Sequence, residues 1–358
     1  MHEKLNYNIV KIEQENDSTI YRIGEENAFI VSHSSTRELL CNPEVVGYNI
    51  PQKLLLPIKD SLLYLNKIIF LNNINIVNIL RGGLNFPIEE ACCDIGIDIN
   101  EISFLTSERI FLDNKVSRIE SKYQKIANVP NSTIIIGDII ASGETFYNTI
   151  KYLVEKYVYN NNKICKIVVF TIGTKNTVDL IHKLEYKLKE RWPDFQGIYA
   201  VFFEAVFTTY TSCGITKLNL PYVDFTFKNG ILAPEYRQDL YERLHVLFEK
   251  CAIYDGGARR FEKNIHIKDI VHYWKKLCSL SDNINIKEFY SEKIGYGFNG
   301  SFPGLFEWIK HNNYEELNEV ESANLYHFEK SHYEQLQHFN VYDIAMNRYN
   351  DLILYYNI

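Results

Sequence analysis

A chain of 358 residues is too long for one ordinary domain and predicts a main domain with additions. Hydrophobic residues, at 46%, suffice for a large core. The net charge of −7 excludes a whole-molecule basic field that would draw nucleic acid, while leaving room for a local basic patch.

The N-terminal stretch "LNYNIVKIEQENDSTIYRIGEENAFIVSH" alternates loosely and breaks at Asn-Asp-Ser and Gly-Glu-Glu-Asn, predicting two or three short antiparallel strands. Apolar residues at helical spacing after Pro57 predict a helix over about 58–70. "INIVNIL" (74–80) reads as a buried strand ending in "RGGLNFP", and "FPIEEACCDIG" as a helix with Pro87 near its first turn. "EISFLTSERI" is a second strand, followed by the polar, charged segment 107–127. Next come a strand over 133–140, a helix at about 145–158, a buried strand over 163–174 and the helix "TVDLIHKLEYKLKERW". The strand "FQGIYAVFFEAVF" and an extended stretch, "PYVDFTFKNGILAPEY", complete the series. Strands alternating with helices imply βαβ units around a parallel sheet. The expected fold class is therefore α/β: a Rossmann-like parallel sheet flanked by helices over 58–240, with N-terminal strands in 1–57 and a mostly helical extension over 241–358.

The seven cysteines, at 41, 92, 93, 165, 213, 251 and 278, contain no C-x-x-C, the pattern of reduced thiols in a cytosolic protein. Cys92 and Cys93 read as small buried apolar residues rather than a redox pair. The opening "MHEKLNYNIVKIEQEND" has no apolar h-region and no run nears about eighteen apolar residues, so a cytoplasmic location without a membrane segment is expected.

Chemistry concentrates in "IIIGDIIASGET". The strand leaves the sheet at its carboxyl edge, where open α/β sheets bind ligands. Ala141, Ser142, Gly143, Glu144 and Thr145 then enter a helix. Small residues let successive N–H groups converge, Ser142 and Thr145 add hydroxyls, and the helix N-terminus carries about half a positive charge, which together make a phosphate cradle. Asp138, at the strand tip, offers a carboxylate to sugar hydroxyls on the same ligand. A phosphate next to a diol is a phosphorylated ribose.

This segment resembles the signature of type I phosphoribosyltransferases: four hydrophobic residues, two acidic residues, then a loop that holds the 5-phosphate of phosphoribosyl pyrophosphate (PRPP). The chain departs from the pattern at Gly137, where the family usually has its first acidic residue. Glycine there is expected to leave space over the ribose. "NILRGGLNFPIEEA" is similar to the family's pyrophosphate loop, often built on a strained peptide bond. The resemblance implies Arg81 on the pyrophosphate, with the N–H groups of Gly82 and Gly83 beside it. Glycines permit close backbone approach and a guanidinium fork suits a diphosphate.

The family also places a mobile loop between its second and third core strands, which closes over PRPP and brings cations to the leaving group. Segment 107–127 is expected to act so and to be poorly ordered without ligand. It offers Arg109, Lys115 and Arg118 as catalytic cations, with Lys122 and Lys125 nearby. "PYVDFTFKNGILAPEYRQDL" faintly resembles the purine-salvage members through Gly230, Leu232, Glu235, Tyr236, Asp239 and Leu240, which would put Asp224 or Phe225 against a base or other acceptor. The N-terminal strands could supply the base-recognising hood.

Three features are set apart. "YDGGARRFEK" (254–263), with Asp255, Arg259 and Arg260, has the makeup of an anion loop but lies beyond the core, where a plain turn is the competing account. His327, His332 and His338 are spaced by five and six, which does not put them on one helical face, and no protein-built metal site is expected. The aromatic tail "NLYHFEKSHYEQLQHF" fits a core or a partner surface better than a base-stacking platform.

The implied activity is that of a glycosyltransferase of nucleotide metabolism, a pentosyltransferase: magnesium-assisted displacement of pyrophosphate from PRPP by a nitrogen acceptor, a base or nucleotide-like molecule. Magnesium would arrive with PRPP, keeping most of its waters. Two alternatives stand beside it. One is a PRPP- or nucleotide-sensing module that has lost its chemistry. The other is a phosphoribosyltransferase-like effector of bacterial conflict or phage defence, for which nucleic acid stays open as a target. A homodimer or a complex through the C-terminal helices is compatible with the tail.

Overall fold

The computed structural model describes residues 6–25, 27–112, 115–209, 218, 225–243, 245–246, 256–281, 284–295 and 301–356; for 107–122, 256 and 258 only the backbone is described. The expected fold class is the one observed.

The strands are β1 (Ile9–Glu15), β2 (Ser18–Ile23), β3 (Ala28–Ser32), β4 (Ile74–Leu80), β5 (Ile99–Leu112), β6 (Lys115–Lys125), β7 (Ser132–Ile140), β8 (Ile164–Thr174), β9 (Ile198–Thr209) and β10 (Phe225–Leu232). They form one ten-stranded sheet in the order β1-β2-β3-β9-β8-β7-β4-β5-β6, with β10 pairing on β9. From β3 across to β5 every pairing is parallel, and β1, β2, β6 and β10 join antiparallel. The central strands are buried on both faces, as a sheet covered by helices on each side requires, which explains the unbroken runs "TIII" and "IVVF".

The N-terminal strands extend this sheet, because β3 pairs in parallel with β9 from Ala28↔Ala200 to Val31↔Phe203. The boundary expected at residue 57 is crossed by that pairing. Helices α1 (Ser34–Cys41), α2 (Asn49–Ile69), α3 (Ile88–Asp94), α4 (Glu144–Tyr159) and α5 (Lys175–Arg191) follow the strands. The helix expected from residue 58 instead begins at Asn49 and runs through Pro57. Its buried stripe of Ile50, Leu54, Ile58, Leu62 and Leu65 is continuous across the proline, so burial outweighs the backbone hydrogen bond that Pro57 removes.

Helix α6 (Pro234–Glu242) follows β10, and the extension beyond it is helical in its described residues: α7 (Gly256–Phe261), α8 (Lys263–Leu280), α9 (Ile286–Ile294), α10 (Leu305–Asn312), α11 (Glu319–Gln335) and α12 (Val341–Tyr356). The extension is tied to α6 and to the sheet by buried polar contacts. Arg237 on α6 reaches Glu329 (3.1 Å) and Asn312 (2.6 Å), and the Tyr314 hydroxyl donates to the Leu232 carbonyl at 2.6 Å. No helix among the described residues is long and apolar enough to cross a membrane.

Segment 107–127, expected as a loop, holds the end of β5 and all of β6, paired antiparallel as a hairpin. β5 pairs with β4 as far as Leu80↔Thr106, and beyond that point Ser107–Leu112 pair with Lys115–Ser121. Two strands paired along their length satisfy their backbone groups mutually, so a polar segment needs no core to be regular.

Candidate functional site

Three strand ends meet at the carboxyl edge of the sheet. β4 ends at Leu80, its parallel neighbour β7 at Ile140, and β8 at Thr174. Between the first two lies a cleft of about 150 Å³ lined by Ile79, Leu80, Gly82, Asp138, Ile139, Ile140, Ala141, Gly143, Thr145 and Phe146. The two motifs read separately from the sequence are thus in contact. A Cβ built on Gly82 would fall 2.9 Å from Asp138 Oδ1, so a side chain there would meet the carboxylate. Asp138 is 9% exposed, and its Oδ1 also accepts the Ile139 N–H at 2.9 Å.

The Leu80–Arg81 peptide is cis, and Gly82–Asn85 forms one 3-10 turn behind it. Gly83 packs on β4 and β7: its Cβ would lie 3.3 Å from both Asn78 Cα and the Gly137 carbonyl oxygen. Arg81 reaches out of the turn, with Nη1 3.4 Å from Glu262 Oε1. Asn85 was not marked by the sequence. It is 1% exposed, and neither polar atom of its carboxamide has a hydrogen-bond partner among the described residues.

Across the cleft, Ala141 and Ser142 lead into α4, whose N-cap is Gly143 at φ +81°, with no side chain capping the helix. That leaves first-turn N–H groups for an anion. Thr145 lines the cleft, whereas Ser142 and Glu144 are exposed and lie outside its lining. A Cβ on Gly143 would meet Leu180 Cδ2 at 2.5 Å, on the α5 side. Glycine is needed here for its φ and for packing on α5.

Two buried hydroxyls that the sequence reading passed over hold this loop. Thr174 Oγ1 donates to the Ala141 carbonyl at 2.7 Å and Thr177 Oγ1 to the Ile140 carbonyl at 3.0 Å. Both tie back carbonyls of the turn that leads into α4. Their signal was the "GTKNT" that ends β8, which repeats the strand-to-helix grammar of the first motif.

Gly137 leaves no room. Its Cβ would fall 2.3 Å from Phe86 Cβ, so the space expected over the ribose is filled by the core. Phe225 is also core, 0% exposed and tilted against Phe207 at 5.8 Å, and Asp224 lies outside the described residues. Glu235 and Asp239 serve structural contacts, to the Tyr21 hydroxyl (2.9 Å) and to Arg37 (3.0 Å). Arg109, Lys115 and Arg118 take backbone positions opposite Ile119, Leu112 and Ile110 in the hairpin, and their side chains, like that of Lys122, lie outside what is described. Lys125 is exposed. Asp255 is likewise outside the described residues, while Arg259 is buried and donates to the carbonyls of Val45, Leu39 and Asn42.

Among the described residues no cluster of three or more His, Cys, Asp or Glu could hold a metal ion. Asp138 is the carboxylate in the cleft lining.

Neither a family model nor a curated protein matches the chain. Solved structures do. The AQ2163 protein from Aquifex aeolicus is 14% identical, with a TM-score of 0.35, covering 49% of this chain and 85% of that one. A hypoxanthine phosphoribosyltransferase from Staphylococcus aureus is 14% identical with a TM-score of 0.28, covering 44% and 76%. The hypoxanthine-guanine phosphoribosyl transferase of L. donovani is 11% identical with a TM-score of 0.28, covering 42% and 76%. At such identities and scores the likeness carries no argument about activity.

Proposed function

We propose that the protein binds PRPP in the cleft between β4 and β7 and transfers its phosphoribosyl group to a nitrogen acceptor, a base or nucleotide-like molecule. The single observation that carries this is the contact between the two motifs, Gly82 against Asp138. The Arg81–Asn85 turn, the Asp138 carboxylate and an uncapped helix N-terminus lie around one small space, an arrangement that suits a 1-diphosphate, a sugar ring and a 5-phosphate.

In the reaction the bond from C1 to the diphosphate oxygen breaks, the electron pair leaving with pyrophosphate. The acceptor nitrogen bonds C1 from the opposite face and gives up its proton to solvent. The protein's part is positioning and charge stabilisation. First-turn N–H groups of α4 and Thr145 hold the 5-phosphate, Asp138 orients the ribose hydroxyls, and Arg81 takes up charge on the leaving group. Magnesium would neutralise the diphosphate as it enters. The described donor set, one carboxylate in the cleft, fits an ion that arrives with its ligand better than a resident one.

A second reading is favoured by one observation. With Phe86 filling the place of the missing acidic side chain, the fold supports a PRPP-sensing module whose turnover is slow or lost. Calorimetry with PRPP and magnesium, paired with a pyrophosphate-release assay across bases and nucleotides, separates the two. Binding with release supports the transferase, binding without release the sensor, and absence of binding removes both.

A further inference from the structure

The C-terminal extension returns to the pyrophosphate loop. Helix α7 packs on the Gly82–Asn85 turn. The residue after it, Glu262, is the carboxylate 3.4 Å from Arg81, and the Arg81 guanidinium also lies 5.9 Å from the centre of the Phe261 ring. A second guanidinium, that of Arg260, lies 5.1 Å from the same ring. Arg260 Nη1 is buried without a hydrogen-bond partner among the described residues. Two guanidinium groups therefore share one ring beside one carboxylate, and the cluster is short of negative charge.

We propose that Glu262 is an internal stand-in for the diphosphate. It holds Arg81 while the loop is empty, and a diphosphate ester takes Arg81 from it on entering, with Arg260 as the second cation that the extension contributes. This rests on the reading of Arg81 as a diphosphate ligand. The segment is held in place for the role, because Arg259 is anchored to the carbonyls of Leu39, Asn42 and Val45 at 3.0, 2.6 and 2.7 Å. The pair itself is weak enough to exchange. Its side chains are 55% and 45% exposed, and exposed ion pairs contribute little in water. A diphosphate carries more charge than a carboxylate and can accept both arms of a guanidinium fork. Ligand binding and the position of 256–262 are then linked, so whatever draws this segment away from the loop changes diphosphate affinity.

The test is calorimetry on the full chain with inorganic pyrophosphate, and in parallel with ribose 5-phosphate, which does not compete for Arg81. Glu262→Gln, a change at a half-exposed position that leaves the fold intact, should tighten pyrophosphate about two- to five-fold. Ribose 5-phosphate should be unaffected. In an Arg81→Ala background the same change should give no gain, as a double-mutant cycle requires. Arg260→Ala should weaken pyrophosphate about three- to ten-fold without moving ribose 5-phosphate. Wild-type binding of pyrophosphate with an unchanged Glu262→Gln affinity overturns the stand-in while leaving Arg81 as a ligand. Absence of pyrophosphate binding by both wild type and Glu262→Gln overturns the reading of Arg81, and the proposal with it.

Discussion

Phe86 stands against the backbone of Gly137, so close that a Cβ on the glycine would lie 2.3 Å from Phe86 Cβ and 2.5 Å from its Cγ. The phenylalanine has nowhere to go. It is 4% exposed, and its ring stacks on Phe203 at 6.4 Å, which in turn stacks on Phe170 at 6.2 Å. Where a second acidic side chain would approach a ribose, this chain has built core instead.

Gly137→Asp should therefore destabilise the protein rather than restore a ribose contact. Overpacking costs about 1–3 kcal/mol, and a carboxylate forced among aromatic rings adds to it. Scanning calorimetry should show a lowered Tm, with no gain in ribose 5-phosphate affinity. Combined with Phe86→Ala, which opens a cavity, the loss should be smaller than the sum of the two single losses. A Gly137→Asp protein as stable as the wild type would mean that Phe86 can move aside.

The hydroxyls of Thr174 and Thr177 donate to the carbonyls of Ala141 and Ile140, and both residues are 0% exposed. Thr174→Val keeps the shape and frees the Ala141 carbonyl to turn toward the anion. We expect a stability loss of about 1 kcal/mol and a clear weakening of ribose 5-phosphate, read by calorimetry. Inorganic pyrophosphate should be unaffected, since it meets the other side of the cleft. Equal weakening of both ligands would point to general loosening of the sheet edge.

Much of this was legible in the sequence, and the gaps have physical causes. Strands buried on both faces write themselves as unbroken Ile and Val runs, so β4, β7 and β8 were placed within a residue or so. Gly143 and Gly82 were legible because a tight strand-to-helix turn needs them. The start of α2 was not, because Pro57 reads locally as a boundary and only tertiary burial overrides it. The 107–121 hairpin was hidden because its pairing is mutual and demands no apolar alternation. Long-range contacts were out of reach. Phe86 over Gly137 and Glu262 on Arg81 join residues 51 and 181 positions apart, and no spacing rule predicts them.

Glu204 gives the protein a pH dependence of known sign. The residue is fully buried in β9 at φ +64° and accepts hydrogen bonds from Ser32 Oγ (2.7 Å), the His33 N–H (2.8 Å) and Thr36 Oγ1. Burial outweighs these contacts and pushes its pKa up from 4.5 to about 8. The folded state then holds a proton that the unfolded state releases between those values. Its contribution is complete below about 4.5 and is lost as pH rises toward 8, with a slope of at most about 1.4 kcal/mol per unit. His266 acts in the opposite sense. Burial, then the nearby Arg259, lower its pKa from 6.5 to about 3, so stability falls as pH drops through that window. Over the range they share the two oppose one another, and between 6.5 and 8 the Glu204 slope stands alone of this pair. The difference between wild type and Glu204→Gln isolates it. Denaturant midpoints should converge as pH rises from 6.5 to 8, and parallel curves would show that the carboxyl is already ionised in the fold.

The hairpin of β5 and β6 is rooted beside the turn that follows β4, where we place the diphosphate. Thr106 is the last residue of β5 to pair with β4, opposite Leu80, and the Tyr123 N–H donates to Thr106 Oγ1 at 2.8 Å to close the root. Residues 107–112 and 115–121 then continue past the end of β4 as a two-stranded arm. An arm so placed is where cations for a leaving diphosphate would be wanted, and Arg109, Lys115 and Arg118 all lie on it. Because the arm, among the described residues, pairs with itself alone, replacing all three by Ala should alter stability by no more than about 0.5 kcal/mol per position. PRPP affinity and pyrophosphate release should fall together, each contributing cation accounting for roughly 1.5–3 kcal/mol if it bonds the diphosphate in the transition state. PRPP should also protect the arm from protease. A triple variant with unchanged affinity and release, and an arm cut equally with and without ligand, would take the hairpin out of the site and leave Arg81 and Arg260 as its cations.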